Sequence, residues 1–173
     1  TSEEFKKWSE NYVLFLHVTT HIKDRKHEDL FGKKGGQGFP TFMFMDQKGG
    51  VLAMQPGALD ISRMTGLHDK AKERHDKYVE LEKLAAAGDE SAKVKLAVMQ
   101  VELTHKTFAD FRKEYPDFSK LDDDSRKQVM GLWGNATFQE AMAKFMEVVG
   151  RDRSKVPEGA KAAAPIILAA AKQ

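Results

Sequence analysis

The stretch Gly35-Gly36-Gln37-Gly38-Phe39-Pro40-Thr41-Phe42-Met43-Phe44-Met45-Asp46-Gln47-Lys48-Gly49-Gly50 decides how the chain folds. Proline cannot donate to a sheet ladder but is accepted at the first residue of a strand, so Pro40 predicts a strand over Thr41–Met45. Residues 46–50 then predict a hairpin turn, because glycine readily adopts a positive φ. Residues 51–54 are the expected return strand.

The residues before this hairpin predict a helix, a strand and a second helix. Ser2 can cap a short helix that carries Phe5 and Trp8 on one face. Residues 12–19 are β-forming and almost continuously apolar, which is typical of a strand buried on both faces of a helix-covered parallel sheet. Residues 26–34 predict a short helix that the glycine cluster ends.

The sequence after residue 57 has a helical pattern to its end. The spacing of apolar residues predicts helices over 59–85, 90–104, 107–115, 122–133, 137–149 and 160–172, with a break at Gly134 and Asn135. Asp60, Asp89 and Asp122 stand where N-caps are expected. Because the loops are short, we predict antiparallel helical hairpins. The predicted division is an α/β domain over 1–66 and a helical region over 67–173.

Composition limits the classes of function. The 173 residues are 41% hydrophobic and 31% charged, with a net charge of +2 and no cysteine. This near-neutral balance gives no case for nucleic acid or an anionic membrane as a partner, and no apolar run is long enough to predict membrane insertion. Without cysteine, these residues cannot form disulfides, thiolate nucleophiles or thiolate metal sites. The sequence also contains no P-loop, dinucleotide fingerprint or nucleophile elbow.

The hairpin resembles the cis-proline hairpin of the thioredoxin superfamily, most specifically over residues 38–50. The shared pattern is glycine, an apolar residue, proline and threonine, then an apolar strand, an acidic turn and a second strand. The resemblance implies a thioredoxin-like α/β fold that is incomplete at its N-terminal end, and a cis bond between Phe39 and Pro40. It also implies a binding edge at Phe39, Pro40 and Thr41, where the residue before the proline offers its backbone to an extended peptide.

Two functions follow from this resemblance. In the first, a cysteine-free thioredoxin-like domain is a protein-binding or scaffold module that holds a protein or peptide partner and can form a homo-oligomer. In the alternative, the chain is the C-terminal portion of a thiol–disulfide oxidoreductase whose strand and CxxC turn lie upstream of Thr1, with Pro40 positioning the substrate. The first is preferred because these residues contain no thiol. The compartment stays open, with an exported location preferred to the cytoplasm.

Histidine and methionine are the candidate metal ligands. His17 and His21 would be about 13 Å apart in an extended chain, too far to share one ion unless the chain turns, and His27 lies beyond them. His17, inside an apolar strand, should have a hydrogen-bond partner. The methionines near the hairpin would suit Cu(I), although methionine more commonly fills core space. We therefore predict no bound metal and no cofactor.

Overall fold

A computed structural model of the protein describes residues 3–18, 26–27, 29–36 and 38–171. These residues form a mixed α/β structure that is mostly helical and includes a two-stranded antiparallel sheet. The chain divides into two compact units between Lys106 and Thr107. The sequence placed the boundary after residue 66, which lies inside a continuous helix over Ile61–Ala86. The first unit therefore includes helices that sequence reasoning assigned to the helical region.

The described residues of unit 1, which spans residues 1–106, form four helices and the hairpin. In chain order these are α1 (Glu3–Ser9), α2 (Leu30–Lys33), β1 (Thr41–Met45), β2 (Val51–Pro56), α3 (Ile61–Ala86) and α4 (Glu90–Glu102). The predicted hairpin is confirmed, with β1 at its predicted residues and β2 two residues longer than predicted. The helix predicted over 26–34 is shorter than expected, since α2 begins at Leu30.

Helix α3 packs against the hairpin and against α4, and this contact forms the core of unit 1. Leu52 of β2 supplies the sheet side of that core, with Phe44 and Ala53 packed at its margin. The helices contribute Ala71, Tyr78 and Leu81 from α3, Ala92 and Met99 from α4, and Leu103 just beyond it. A single helix layer therefore covers one face of the sheet.

The strand predicted over residues 12–19 is wrong for residues 12–18, which the structure describes. They form no strand, and the side chains of Val13, Leu14, Phe15 and Leu16 are exposed. A strand is stable only when its backbone pairs with a neighbour, and β1 and β2 pair with each other. Among the described residues, neither β1 nor β2 pairs with this segment. Thr19 lies outside the described residues.

Unit 2 spans residues 107–173, and its described part, residues 107–171, is mostly helical. It contains α5 (Phe108–Glu114), α6 (Asp123–Val149) and α7 (Val156–Ala170), with single 3₁₀ turns at Phe118–Lys120 and Arg153–Lys155. Its interior includes Phe111, Leu121 and Val129. Helices α6 and α7 pack on each other. Part of this contact is at Gly159, where an added Cβ would lie 2.4 Å from Val149 Cγ2.

The predicted break at Gly134 and Asn135 is wrong, because α6 runs through both residues. A glycine or an asparagine in a helix interior costs only about 1 kcal/mol or less relative to alanine. The tertiary packing of a long helix can stabilise it by more than this. The last helix also begins earlier than predicted, at Val156, with Pro157 in its first turn, where a missing N–H is tolerated. Pro165 lies inside it.

The three predicted N-caps are confirmed. In each case the aspartate carboxylate accepts a hydrogen bond from the backbone N–H of the residue three positions later in the chain. The pairs are Asp60 with Arg63, Asp89 with Ala92, and Asp122 with Ser125. Each bond satisfies a donor that the first turn of a helix leaves open. Among the described residues, no helix combines the length and apolar character needed to cross a membrane.

Candidate functional site

The glycine-rich loop places two aromatic rings together at the surface. Phe31 of α2 and Phe39 stack with their ring centroids 4.7 Å apart and an interplanar angle of 23°. Gly36 makes this possible, because a Cβ there would lie 2.4 Å from the Phe31 ring. Phe39 is 67% exposed. The loop therefore presents a supported aromatic ring to solvent directly before β1.

The residues on either side of Phe39 are held by hydrogen bonds. Thr41 Oγ1 donates to the Gly38 carbonyl at 2.8 Å, and the Pro40 carbonyl accepts from the Gly57 N–H at 2.7 Å. The Phe39–Pro40 peptide bond is cis. The backbone N–H and C=O of Phe39 make no hydrogen bond to another described residue. The three predicted site residues follow one another in the chain, and no described residue occupies the hydrogen-bonding groups of the Phe39 backbone.

The backbone of β1 also has an open side. In an antiparallel pair, alternate residues direct their N–H and C=O groups to the partner strand. The bonds from Gly57 N to Pro40 O and from Asp46 N to Gly50 O set this alternation, so Phe42 and Phe44 face β2. The backbone groups of Thr41, Met43 and Met45 therefore point to the outer edge of β1.

The outer edge of β2 is better protected. Near its start, the Val51 N–H donates to the Leu103 carbonyl at 2.9 Å. At its end stands Pro56, which has no N–H to offer. Proline on an edge strand is one of the devices that prevent pairing with another strand. Of the two outer edges, that of β1 is the one able to accept a strand.

Residues 13–18 are anchored beside β1 through Tyr12. The Tyr12 ring lies 4.5 Å from that of Trp8 and 5.6 Å from that of Phe44, measured between centroids, and also meets the ring of His68. Burial raises the pKa of the Tyr12 phenol above its usual value, and the nearby carboxylate of Asp69 adds to the shift. The chain beyond Tyr12 then leaves this cluster and exposes its apolar side chains.

A carboxylate–imidazole pair is buried beneath the hairpin turn. Asp46 Oδ1 accepts from the N–H groups of Lys48 at 2.8 Å and Gly50 at 2.9 Å, which shapes the turn. Its Oδ2 atom lies 2.8 Å from His105 Nε2, in a contact that does not have the geometry of a hydrogen bond. Tyr78 meets the imidazole edge to face.

This pair is best explained as structural. The side chains of Asp46 and His105 are only 6% and 10% exposed, so no substrate can reach them as they stand. Instead they connect the hairpin turn to the residues after α4. Lys34 supports the same junction, with Nζ donating to the Gly49 carbonyl at 2.6 Å and to Thr104 Oγ1 at 3.2 Å. Sequence reasoning missed His105, since no local pattern indicates a partner so distant in the chain.

The histidine candidates do not assemble into a metal site. His17 Nε2 lies 3.1 Å from the His27 carbonyl oxygen, which provides the hydrogen-bond partner predicted for it. His21 lies outside the described residues. Nowhere in the described part of the chain do three His, Cys, Asp or Glu side chains form a group suited to a metal ion. The charged side chains between residues 70 and 77 lie on an exposed face of α3 beside a shallow open depression.

Comparisons of this chain with protein-family models, curated proteins and solved structures found no match.

Proposed function

We propose that this protein is a thioredoxin-like binding module that holds an extended segment of a protein partner at Phe39, Pro40 and Thr41. The observation that carries the proposal is the open backbone of Phe39 beside its exposed, stacked ring. An extended peptide can pair with such a backbone while one of its side chains packs on the aromatic surface.

The neighbouring contacts make this site suitable for recognition. Phe31 supports one side of the Phe39 ring, and the hydrogen bonds at Gly38 and Gly57 fix the backbone before and after it. Preorganised groups lose less conformational entropy when a ligand binds. The order of helix, hairpin and helix around this loop supports a thioredoxin-like arrangement for unit 1.

The test begins with an array of peptides of varied sequence, followed by calorimetry of the strongest binder. Phe39→Ala should weaken that binder by about tenfold or more, as truncation of a central aromatic contact commonly does. Phe138→Ala is the matched control, because Phe138 is similarly exposed but lies in unit 2. Equal effects of the two substitutions would contradict the proposed site.

A second measurement examines the strand-like mode of binding. N-methylation of the bound peptide, one residue at a time, removes one donor at each step. Pairing with the Phe39 backbone predicts that methylation weakens binding at the residue opposite Phe39 and leaves its immediate neighbours less affected. Uniform insensitivity to N-methylation would show that the backbone of the peptide is not recognised.

The oxidoreductase alternative remains a second proposal, favoured by one observation. Residues 13–18 and the outer edge of β1 are both without a strand partner among the described residues, as expected if an intervening strand is needed to complete the sheet. The alternative predicts that the encoding sequence contains that strand and a CxxC turn upstream of Thr1. Its test is the encoded sequence, followed by an insulin-reduction assay on the longest encoded chain.

A further inference from the structure

We infer that two copies of this chain associate by exchanging residues 13–18, each copy placing this segment as a strand on the outer edge of its partner's β1. This surface adjoins the proposed peptide site and shares Thr41 with it, but it extends along β1 to Met45 and does not use the backbone of Phe39. The two proposals are distinguished by their tests, which measure peptide binding in one case and association of copies in the other.

Residues 13–18 have the composition of a β-strand, but their backbone is not paired with another described strand. Residues 13–18 contain no proline, glycine, aspartate, glutamate, lysine or arginine, and most are β-branched or aromatic residues or leucine. Such short, uncharged and β-forming segments add readily to exposed strand edges. Their backbone groups make no hydrogen bond to another described residue, and Val13 and Leu16 are 99% and 85% exposed.

The receiving edge matches the segment in length and in its polar groups. β1 has five residues and the segment six. The backbone groups of Thr41, Met43 and Met45 face outward, so one added strand would satisfy three donors and three acceptors at once. The side chain of Met45, on the sheet face away from Phe44, is also exposed and would gain cover from the added strand.

The area involved reaches that of a small specific interface. Residues 13–16, at exposures between 61% and 99%, present on the order of 500 Å² per copy if each such side chain offers roughly 150–200 Å². Adjacent strand residues point to opposite faces and the described helices cover one face of the sheet, so about half of this area would be buried. Two exchanged segments and the surfaces that receive them would then bury about 1,000 Å², the size that a specific interface needs.

A second copy is the occupant that matches both surfaces together. Each chain offers one strand and one edge, and the structure of a single chain leaves them apart although Tyr12 holds the segment beside Phe44. Reciprocal exchange uses both surfaces in both copies. Such an assembly closes by two-fold symmetry and leaves no open edge on β1.

Sedimentation equilibrium over a wide range of protein concentration is the first test, and we expect a dimer. Val13→Lys combined with Leu16→Lys should weaken dimerisation by about 100-fold or more, because two buried apolar contacts are lost. Both residues are exposed in the single chain, so unit 1 should keep its fold, which circular dichroism checks. Ile167→Lys with Leu168→Lys, exposed apolar residues of α7, should leave dimerisation unchanged.

Cross-linking then identifies the surfaces, and the absence of natural cysteine makes each introduced thiol unique. Copies carrying Met43→Cys are mixed with copies carrying Phe15→Cys or Leu16→Cys and oxidised. Adjacent strand residues point to opposite faces, so one of the two mixtures should give a disulfide between unlike copies. Mass spectrometry of the linked peptides identifies the bond.

Four results would overturn the inference. They are a monomer at every concentration, a dimer that the two lysines do not weaken, links formed only between identical positions, and a link within one monomeric chain that carries both cysteines. The last result would mean that the segment pairs with its own β1.

Discussion

Gly50 is the residue at which a single methyl group should disturb the hairpin most. A Cβ added there would lie 2.0 Å from His105 Nε2, 2.6 Å from Cδ2 and 2.8 Å from Cε1. The imidazole has little room to move, since it is buried between Asp46 and Tyr78. Gly50→Ala must therefore displace the ring by more than about 1 Å to restore ordinary contact distances of roughly 3.5–4 Å.

The expected destabilisation follows from two opposing terms. Overpacking of a well-packed site costs about 1–3 kcal/mol. The φ angle of Gly50 is not in the left-handed region, so alanine also restricts the unfolded chain and returns about 0.4–1 kcal/mol. Separation of His105 from Asp46 would add to the loss, because the buried Asp46 Oδ2 atom would lose its 2.8 Å contact with His105 Nε2. We expect unit 1 to lose about 2 kcal/mol, or roughly 10 °C in its melting midpoint.

Tryptophan fluorescence can follow unit 1 alone. Trp8 packs on Tyr12 and near Phe44 in unit 1, so a Trp133→Phe background leaves fluorescence that reports this unit. Urea unfolding in that background gives the free energy of unfolding for each variant. Gly66→Ala is the control, because Gly66 is exposed in α3 with nothing within 4 Å of an added Cβ, and alanine should stabilise the helix by about 0.5–1 kcal/mol.

A double-mutant cycle isolates the predicted clash. His105→Ala removes the ring that the new methyl group meets, so Gly50→Ala should cost much less in that background than in the natural one. If Gly50→Ala costs the same with and without the imidazole, or stabilises the chain as Gly66→Ala should, then His105 does not occupy the space beside Gly50. The explanation of the turn given above would then be wrong.

Three further predictions concern other parts of the chain. Gly159→Ala should destabilise unit 2 by about 1–3 kcal/mol, because the added methyl group overpacks against Val149 Cγ2. Urea unfolding followed by Trp133 fluorescence in a Trp8→Phe background measures this loss. An unchanged free energy of unfolding would show that the methyl group does not meet Val149. Asp122→Ala should cost about 1–3 kcal/mol, because it removes the cap of α6 and the 2.6 Å partner of the buried Ser125 hydroxyl; a smaller loss than for Ser125→Ala would contradict this. Burial raises the pKa of the Tyr12 phenol. The stability that Tyr12 contributes should therefore be complete below about pH 10 and be lost as the pH rises through the raised pKa. Ultraviolet titration measures that pKa, and Tyr12→Phe should remove this part of the pH dependence of stability.

Much of the local structure could be predicted from the sequence. The hairpin follows from Pro40, the apolar run after it and the glycines at 49 and 50, all of which act within a few residues. The three capping aspartates were found for the same reason, since a cap and its N–H partners are neighbours in the chain. The β-forming character of residues 12–18 was also visible, but whether they pair depends on another strand being present.

The candidate site also combines features that the sequence predicted with features that only the structure revealed. Phe39, Pro40 and Thr41 were proposed from the sequence by resemblance, and the structure places them together at an exposed loop. The stacking of Phe31 on Phe39 was not predicted, although Gly36 indicates in hindsight that something must lie close to the backbone there. The sequence also gave no sign that Val51 and Pro56 protect the edge of β2 while that of β1 stays open.

By itself, the sequence determined where the turns, caps and apolar faces lie, because these depend on interactions over a few residues. Only the tertiary structure decided which distant groups meet. It placed His105 beside Asp46, continued α6 through Gly134 and Asn135, and put the unit boundary after Lys106. It also left the apolar side chains of residues 13–16 exposed. Such outcomes depend on which surfaces a chain can bury together, and apolar periodicity alone does not specify the partner.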